Sequence, residues 1–411
     1  MNDRKKLLLI GATTGYQTRV FAEAAARLGF ELVLATDRCH VLDDPWGDHA
    51  IALRFEDPQA AAEVLAAEAR VDGIVAVGDR PAYIAAIAAQ RLGLRYNSAD
   101  SVLACRNKFV ARERFRAAGL LAPQFHRVAL QDGPEQAAET APYPCVLKPL
   151  GLSASRGVIR ANDPREFMAA FRRIEALLHD PDILRLREEQ DRFVQVESFI
   201  EGREFALEGI LTGGKLQVLA IFDKPDPLDG PYFEETIYVT PPREPAGTQR
   251  DIVRTSESAV RALGLTHGPV HAEMRVNSRG VWMLEVAARP IGGLCARVLP
   301  GLEDLILLHA AGQDISDVAV ARDAAGVMMI PIPREGIYVA SEGLEQAKST
   351  AGIEDVVITA KAGQKLIPLP EGASYLGFIF ARANSPEEVE RALRASHEHL
   401  RFEIAAALPV V

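Results

Sequence analysis

Hydrophobic and polar positions follow two regimes along the chain. Over residues 1–100, short apolar runs alternate with longer stretches of helical period. KLLLIG reads as a buried strand, TRVFAEAAARLG as a helix closed by Gly29, and FELVLATD as the next strand. DPQAAAEVLAAEAR places Asp57 and Pro58 where a helix begins, and VDGIVAVGD with PAYIAAIAAQRLG repeats the alternation. Such βαβ material predicts a parallel sheet with helices on both faces. The turn GATTG lacks the G-x-G-x-x-G spacing, so a tight turn is favoured there over a dinucleotide site. Asp37 likewise reads as a polar strand end rather than a ribose contact.

From about residue 101 the pattern becomes α+β. SADSVLACRNKFVARERFRAAGL predicts one or two helices, YPCVLKPL a strand, GLSASRG a loop of small residues and VIRA a returning strand. NDPREFMAAFRRIEALL opens a helix with Asp163, Pro164 and Glu166 at the cap, first and third positions. RFVQVESFI and REFALEGILTGGKLQVLAIFDK predict strands, the latter with a Gly-Gly turn. Residues 326–411 form a further mixed unit whose last helix starts at Ser385 in SPEEVE, with no visible catalytic motif. The chain divides into 1–100, 101–310 with a subdomain at about 125–200, and 311–411.

One hairpin breaks the apolar pattern. HAEMRVNSRGVWMLEVAARP carries a glutamate in each of two otherwise apolar strands. A three-residue loop with Gly280 left-handed pairs Asn277 with Val281 and puts Glu273 opposite Glu285. Alternation then gives a core face of Ala272, Met274, Val276, Trp282, Leu284 and Val286. The other face carries His271, Glu273, Arg275, Glu285 and Arg289. Facing carboxylates roughly 5 Å apart at Cβ repel by on the order of 3 kcal/mol, so a cation should sit between them. Either the face is solvated and its charges form loose ion pairs, or the two acids hold a hard divalent ion.

Composition bounds the partners. The 411 residues are 48% hydrophobic and 25% charged, with a net charge of −10. That size holds two or three domains, and that charge with no long basic run argues against nucleic-acid binding. No apolar run is long enough to span a membrane, and Cys39, Cys105, Cys145 and Cys295 show no metal spacing. Reduced thiols and a cytoplasmic location are the expectation.

Lys108 in CRNKFVARERF, Lys148 in PCVLKPLGLSASRGV, the segment VQVESFIEGREF and the two hairpin glutamates occur in a fixed order, and together they resemble the ATP-grasp superfamily of carboxylate–amine ligases. The EVAARP form of the last motif is most similar to the L-amino acid ligase branch. The resemblance implies an ATP-grasp fold: a Rossmann-like N-terminal domain, a central nucleotide clamp with a lid, and a mixed C-terminal domain. It implies ATP and Mg²⁺, with Mn²⁺ as an alternative, and two small-molecule substrates, a carboxylate and an amine. It admits a homodimer. By the same resemblance Lys108 and Lys148 bind phosphates under a lid loop in which Ser153, Ser155 and Gly157 supply N–H groups. Glu197, Phe199 and Ile200 present backbone to adenine, and Glu204 accepts from the ribose. Glu273 and Glu285 bridge metal, while Ala287 stands where many relatives place a third ligand. Arg289 contacts phosphate or acyl-phosphate, and Gly292 and Gly293 border the acyl group. Arg275 either touches phosphate or pairs with a neighbouring glutamate. Glu234 or Glu235 would meet a substrate ammonium, with His267 and His271 at the mouth of the same face.

The implied reaction is amide formation through an acyl-phosphate, with ADP and phosphate released. Other ATP-grasp ligases, of purine or cofactor synthesis, fit the same clamp. A nucleotide-binding regulator is the rival of another class, and a Rossmann dehydrogenase lacks its glycine fingerprint.

Overall fold

The computed structural model describes residues 4–12, 17–37, 50–316 and 323–406. Most of the GATTG turn and Cys39 lie outside the described residues. The N-terminal part is a four-stranded parallel sheet ordered Ile51–Ala52, Glu31–Thr36, Lys6–Gly11, Gly73–Val77. Its central strand Lys6–Gly11 is buried from Leu7 onward, because helices cover both faces. Gly73 allows the sheet to meet the end of helix Leu302–Ala310: a Cβ there would lie 2.1 Å from the Ala310 carbonyl oxygen. Helix Asp79–Leu92 follows Gly78, whose φ is +106°, directly from the carboxyl end of strand Gly73–Val77.

Two helices come next, Ala99–Arg106 and Lys108–Ala117, separated by Asn107, whose side chain caps the second by accepting from the Phe109 and Val110 N–H groups. A four-stranded antiparallel sheet then forms in the order Phe125–Ala129, Phe193–Ser198, Cys145–Pro149, Ile159–Ala161. Helix Pro164–Leu178 covers it. Asp163 accepts from the Glu166 N–H, Pro164 occupies the first turn, and Phe167, Phe171, Ile174 and Leu178 form a buried stripe at helical spacing. Truncating one of these phenylalanines to alanine would cost about 3–5 kcal/mol.

The third layer is one eight-stranded antiparallel sheet, ordered Gly280–Ala287, His267–Asn277, Arg203–Thr212, Lys215–Lys224, Ile237–Thr240, Ala324–Ile330, Gly377–Ala383, Ile353–Ile358. It runs without interruption from the middle of the chain into the C-terminal part. Helix Pro386–His399, capped by Ser385, packs Val389 and Leu393 against that part. Among the described residues no helix is long and apolar enough to cross a membrane. Cys105, Cys145 and Cys295 are buried free thiols.

The hairpin differs from the sequence reading in an instructive way. Asn277 pairs with Gly280, so the loop has two residues, Ser278 and Arg279, and not three. Val276 faces Val281 and Met274 faces Met283, which moves Met283 into the core and turns Trp282 to the side of Arg275. A bulge between Glu273 and Met274 in the ladder leaves Leu284 unpaired, and the register beyond it sets Glu273 against Glu285. The facing acids therefore arise from a shorter loop plus a bulge.

Candidate active site

A cavity of about 630 Å³ opens where the four-stranded antiparallel sheet, the eight-stranded sheet and the N-terminal sheet meet. One end of it is built by lysines held from behind. Lys148, near the end of strand Cys145–Pro149, lies 2.5 Å from Glu197 Oε2. Glu197 is also 2.6 Å from Arg112 Nε through Oε1 and accepts from Gln195 Nε2. Arg112 is wholly buried and donates to the Leu284 carbonyl at 2.7 Å, which ties this group to the hairpin bulge. Burial alone would raise the Glu197 pKa, but Arg112 and Lys148 hold it down at about 2. Burial and the nearby Arg112 and Lys108 charges pull Lys148 down to about 8, against the pull of Glu197. Lys108 Nζ donates to the Leu152 carbonyl at 2.6 Å and lies 3.4 Å from Glu285.

The lid loop closes over this end. Ser153 and Ser155 line the cavity, and Ala154 and Ser155 are non-glycine residues with φ of +57° and +54°. Left-handed backbone at such residues costs of order 1 kcal/mol each. Gly157 is off the cavity: its N–H donates to the Pro370 carbonyl at 2.7 Å, and a Cβ would lie 2.8 Å from Pro149 Cγ. It fastens the lid to the C-terminal part.

Phe199 and Ile200 line the next stretch of wall. The Phe199 N–H is already donated to the Pro144 carbonyl, and its ring lies under Arg160 and Arg275, 4.2 and 5.1 Å from their guanidinium carbons. Arg275 pairs with Glu204 at 3.0 Å and donates to the Ile200 carbonyl at 2.7 Å, so of its two readings the ion pair is the one formed.

Cations surround the acidic hairpin. Lys224 Nζ reaches Glu204 at 2.9 Å, Glu273 at 3.4 Å and also Glu235. These three carboxylates are close enough to hold a metal ion, with one oxygen of each within 4.8 Å of the others, but the lysine supplies the positive charge there. His271 bridges Glu208, at 3.1 Å from Nδ1, and Glu273, at 3.3 Å from Nε2. Burial disfavours its charge; the two carboxylates outweigh burial and lift it to about 9. Burial and the Glu273 charge raise Glu235 to about 7, and Tyr238 donates to it at 2.9 Å. The charge that sequence reasoning required between the acids is thus partly internal.

Glu273 and Glu285 both line the cavity, their side chains 22% and 26% exposed. Two hard carboxylates on rigid strands, beside Lys108, Lys148 and Arg289, fit a divalent ion shared with phosphate oxygens. Ala287 is buried and offers no ligand. Arg289 is fixed by Asp79, at 2.8 Å from Nε, at the head of helix Asp79–Leu92.

Of the residues singled out from sequence, Gly157, Glu234 and His267 do not line the cavity. The His267 ring stacks on His309 instead, with centroids 4.2 Å apart. Asp79, Arg112, Glu208, Lys224, Tyr238 and the aromatic pair Tyr375 and Phe378 escaped the sequence reading. Only Asp79 carried a signal, its place at the carboxyl end of a parallel strand.

Nucleotide-sized cavity, lysine-anchored lid and acidic hairpin define a class, and comparison agrees with it. Residues 141–298 match the ATP-grasp domain, residues 22–94 the ATP-grasp N-terminal domain, and residues 328–405 the L-amino acid ligase C-terminal domain 2. The chain therefore carries an ATP-grasp domain with its N-terminal companion, and its C-terminal part matches the L-amino acid ligase C-terminal domain. The crystal structure of L-amino acid ligase from Bacillus licheniformis is similar over 98% of this chain and 99% of that one, at 29% identity and a TM-score of 0.84. The ATP-grasp enzyme fsqD of Aspergillus fumigatus is 24% identical over 336 residues, 70% of this chain and 56% of that protein. A D-alanine–D-alanine ligase of Geobacter sulfurreducens is 31% identical over 217 residues, 49% of this chain and 62% of that protein. The matches thus span less than two thirds of the length of these two curated relatives.

Proposed function

We propose that this protein is an ADP-forming carboxylate–amine ligase that joins two amino acids through an acyl-phosphate. The observation that carries the reading is the convergence of Lys108, Lys148 and Arg289 on one cavity with the facing carboxylates Glu273 and Glu285. ATP enters with its base against Phe199 and Ile200 and its phosphates toward the lysines. The ribose hydroxyls lie toward Glu204, which Lys224 and Arg275 hold in place. A carboxylate oxygen of the first substrate attacks the γ-phosphorus, the bond to the β-γ bridging oxygen breaks, and ADP leaves. The amine of the second substrate then attacks the acyl carbon, phosphate leaves, and one proton is released. Glu273 and Glu285 would hold a magnesium ion, which when bound would neutralise charge on the phosphates. Lys108 and Lys148 fix the phosphate positions, Arg289 fixes the transferred group, and the lid excludes water from the acyl-phosphate.

Incubation with ATP, Mg²⁺ and mixed amino acids should release ADP and phosphate and yield dipeptides by mass spectrometry. Release of AMP and pyrophosphate would overturn the mechanism. Glu285→Ala should lower turnover at least ~10³-fold, and an unimpaired variant removes the metal assignment.

A further inference from the structure

Beyond the charged cluster the cavity reaches the C-terminal part, and its chemistry changes there. Met329 comes from strand Ala324–Ile330, Phe378 from strand Gly377–Ala383, and Ser374 and Tyr375 from the loop before it. None carries a charge. Tyr375 and Phe378 meet edge to face at 6.1 Å, and Phe378 stacks on Phe380.

The loop that carries this wall is braced on two sides. Gly372 donates to the Pro368 carbonyl at 2.9 Å in a turn so tight that a Cβ would lie 1.8 Å from the Ile367 oxygen. The carbonyls of Pro370 and Glu371 accept from the Gly157 N–H and from Arg156 Nε, each at 2.7 Å.

The other side of the chamber starts at Arg289. Gly292 borders open space, since a Cβ there would meet nothing within 4 Å. At Gly293, with φ of +60°, a Cβ would approach Phe378 Cζ to 3.3 Å. The two glycines leave the path from Arg289 to the aromatic wall unobstructed. An ionic side chain entering it would lose water, and Glu235, the carboxylate on the cavity wall there, is already held by Lys224 and Tyr238.

We infer that this chamber takes the side chain of the amino acid activated at Arg289, and that this substrate has a large apolar side chain of the size of leucine, methionine or phenylalanine. The inference rests on the ligase reading above.

Initial rates of ADP release, with ATP and Mg²⁺ saturating, test it across L-phenylalanine, L-leucine, L-methionine, glycine and L-aspartate, each offered with a common amine. The expected result is a kcat/KM for the three apolar substrates at least ~10-fold above the other two. Phe378→Ala and, on the half-buried loop, Tyr375→Ala should each lower the apolar values by about tenfold through KM. Vigorous ADP release that favours glycine or L-aspartate overturns the chamber assignment and leaves the ligase standing. Bound ATP with no ADP release from any amino acid removes the ligase reading, and this inference with it.

Discussion

Asp79 and Arg289, 210 positions apart, form two hydrogen bonds at the cavity wall, Nε to Oδ1 at 2.8 Å and a second guanidinium nitrogen to Oδ2 at 3.4 Å. The helix that follows the N-terminal sheet thereby orients a side chain just beyond the acidic hairpin. Asp79→Asn keeps the shape but removes the charge that faces the guanidinium. A drop in kcat/KM of ~10-fold to ~100-fold is expected, with Asp79→Glu recovering part of it. Steady-state ADP release on the three proteins checks this; equal rates would show that Arg289 orients itself.

Lys148 is expected to set the alkaline limit of ATP binding. Burial and neighbouring cations bring its pKa down to about 8, so the empty enzyme loses the ammonium as pH rises through that value. The KM for ATP should climb above pH 8, while Lys148→Arg, which stays charged, should move the rise upward. A KM flat to pH 9.5 in the native protein contradicts the assignment.

The same triad governs acid stability. Glu197 has its folded pKa depressed below its ordinary 4.5, to about 2, by Arg112 and Lys148. Its stabilising contribution is complete above the unfolded value and is lost as pH falls from about 4.5 toward 2. Glu197→Gln should therefore flatten the decline of the melting temperature in that window relative to the native chain.

Lys224→Ala should expose the three-carboxylate cluster as a cation site. Without the ammonium, Glu204, Glu235 and Glu273 repel one another, and a loss of about 3–5 kcal/mol is expected. Millimolar Mg²⁺ or Ca²⁺ should return part of it, which thermal melts with and without metal would reveal. A variant whose melting ignores divalent ions shows that the cluster relaxes apart.

Gly157→Ala strikes the lid fastening. The new Cβ would meet Pro149 Cγ at 2.8 Å and Leu177 Cδ2 at 3.0 Å, on backbone with φ of +73°. A destabilisation of about 1–3 kcal/mol and a higher KM for ATP are expected, read from melts and kinetics.

How much of this was visible in sequence follows from how far each contact reaches. The strand and helix periods and the Asp163 and Ser385 caps are local properties and read directly, whereas the opposition of Glu273 to Glu285 is met only because two departures cancel. The bulge at Leu284 was hidden because a shortened loop and an extra residue cancel in the register count. Lys224 was hidden because a bulge at Leu219 in the Gly-Gly hairpin shifts its partner to Glu204, and Arg112 because its partner Glu197 lies 85 positions away on another element. His267 shares a strand face with His271, but four residues of strand separate them by about 13 Å, enough to carry it out of the cavity. Glu234 and Glu235 are neighbours, yet only Glu235 lines the cavity, and adjacency could not say which.

The unbroken eight-stranded sheet has a consequence for how such a protein can change. Glu285 sits on one of its edge strands and Phe378 on the strand next to the other edge, joined by continuous backbone pairing. On the proposed reading, phosphate chemistry and side-chain selection stand on one continuous sheet, whose spacing is set by hydrogen bonds rather than by a linker. Substrate preference can drift by point changes at the far end while the spacing to the reacting groups stays constant. Grafting the C-terminal part from a relative would succeed only if the ladder between Ile237–Thr240 and Ala324–Ile330 were kept in register.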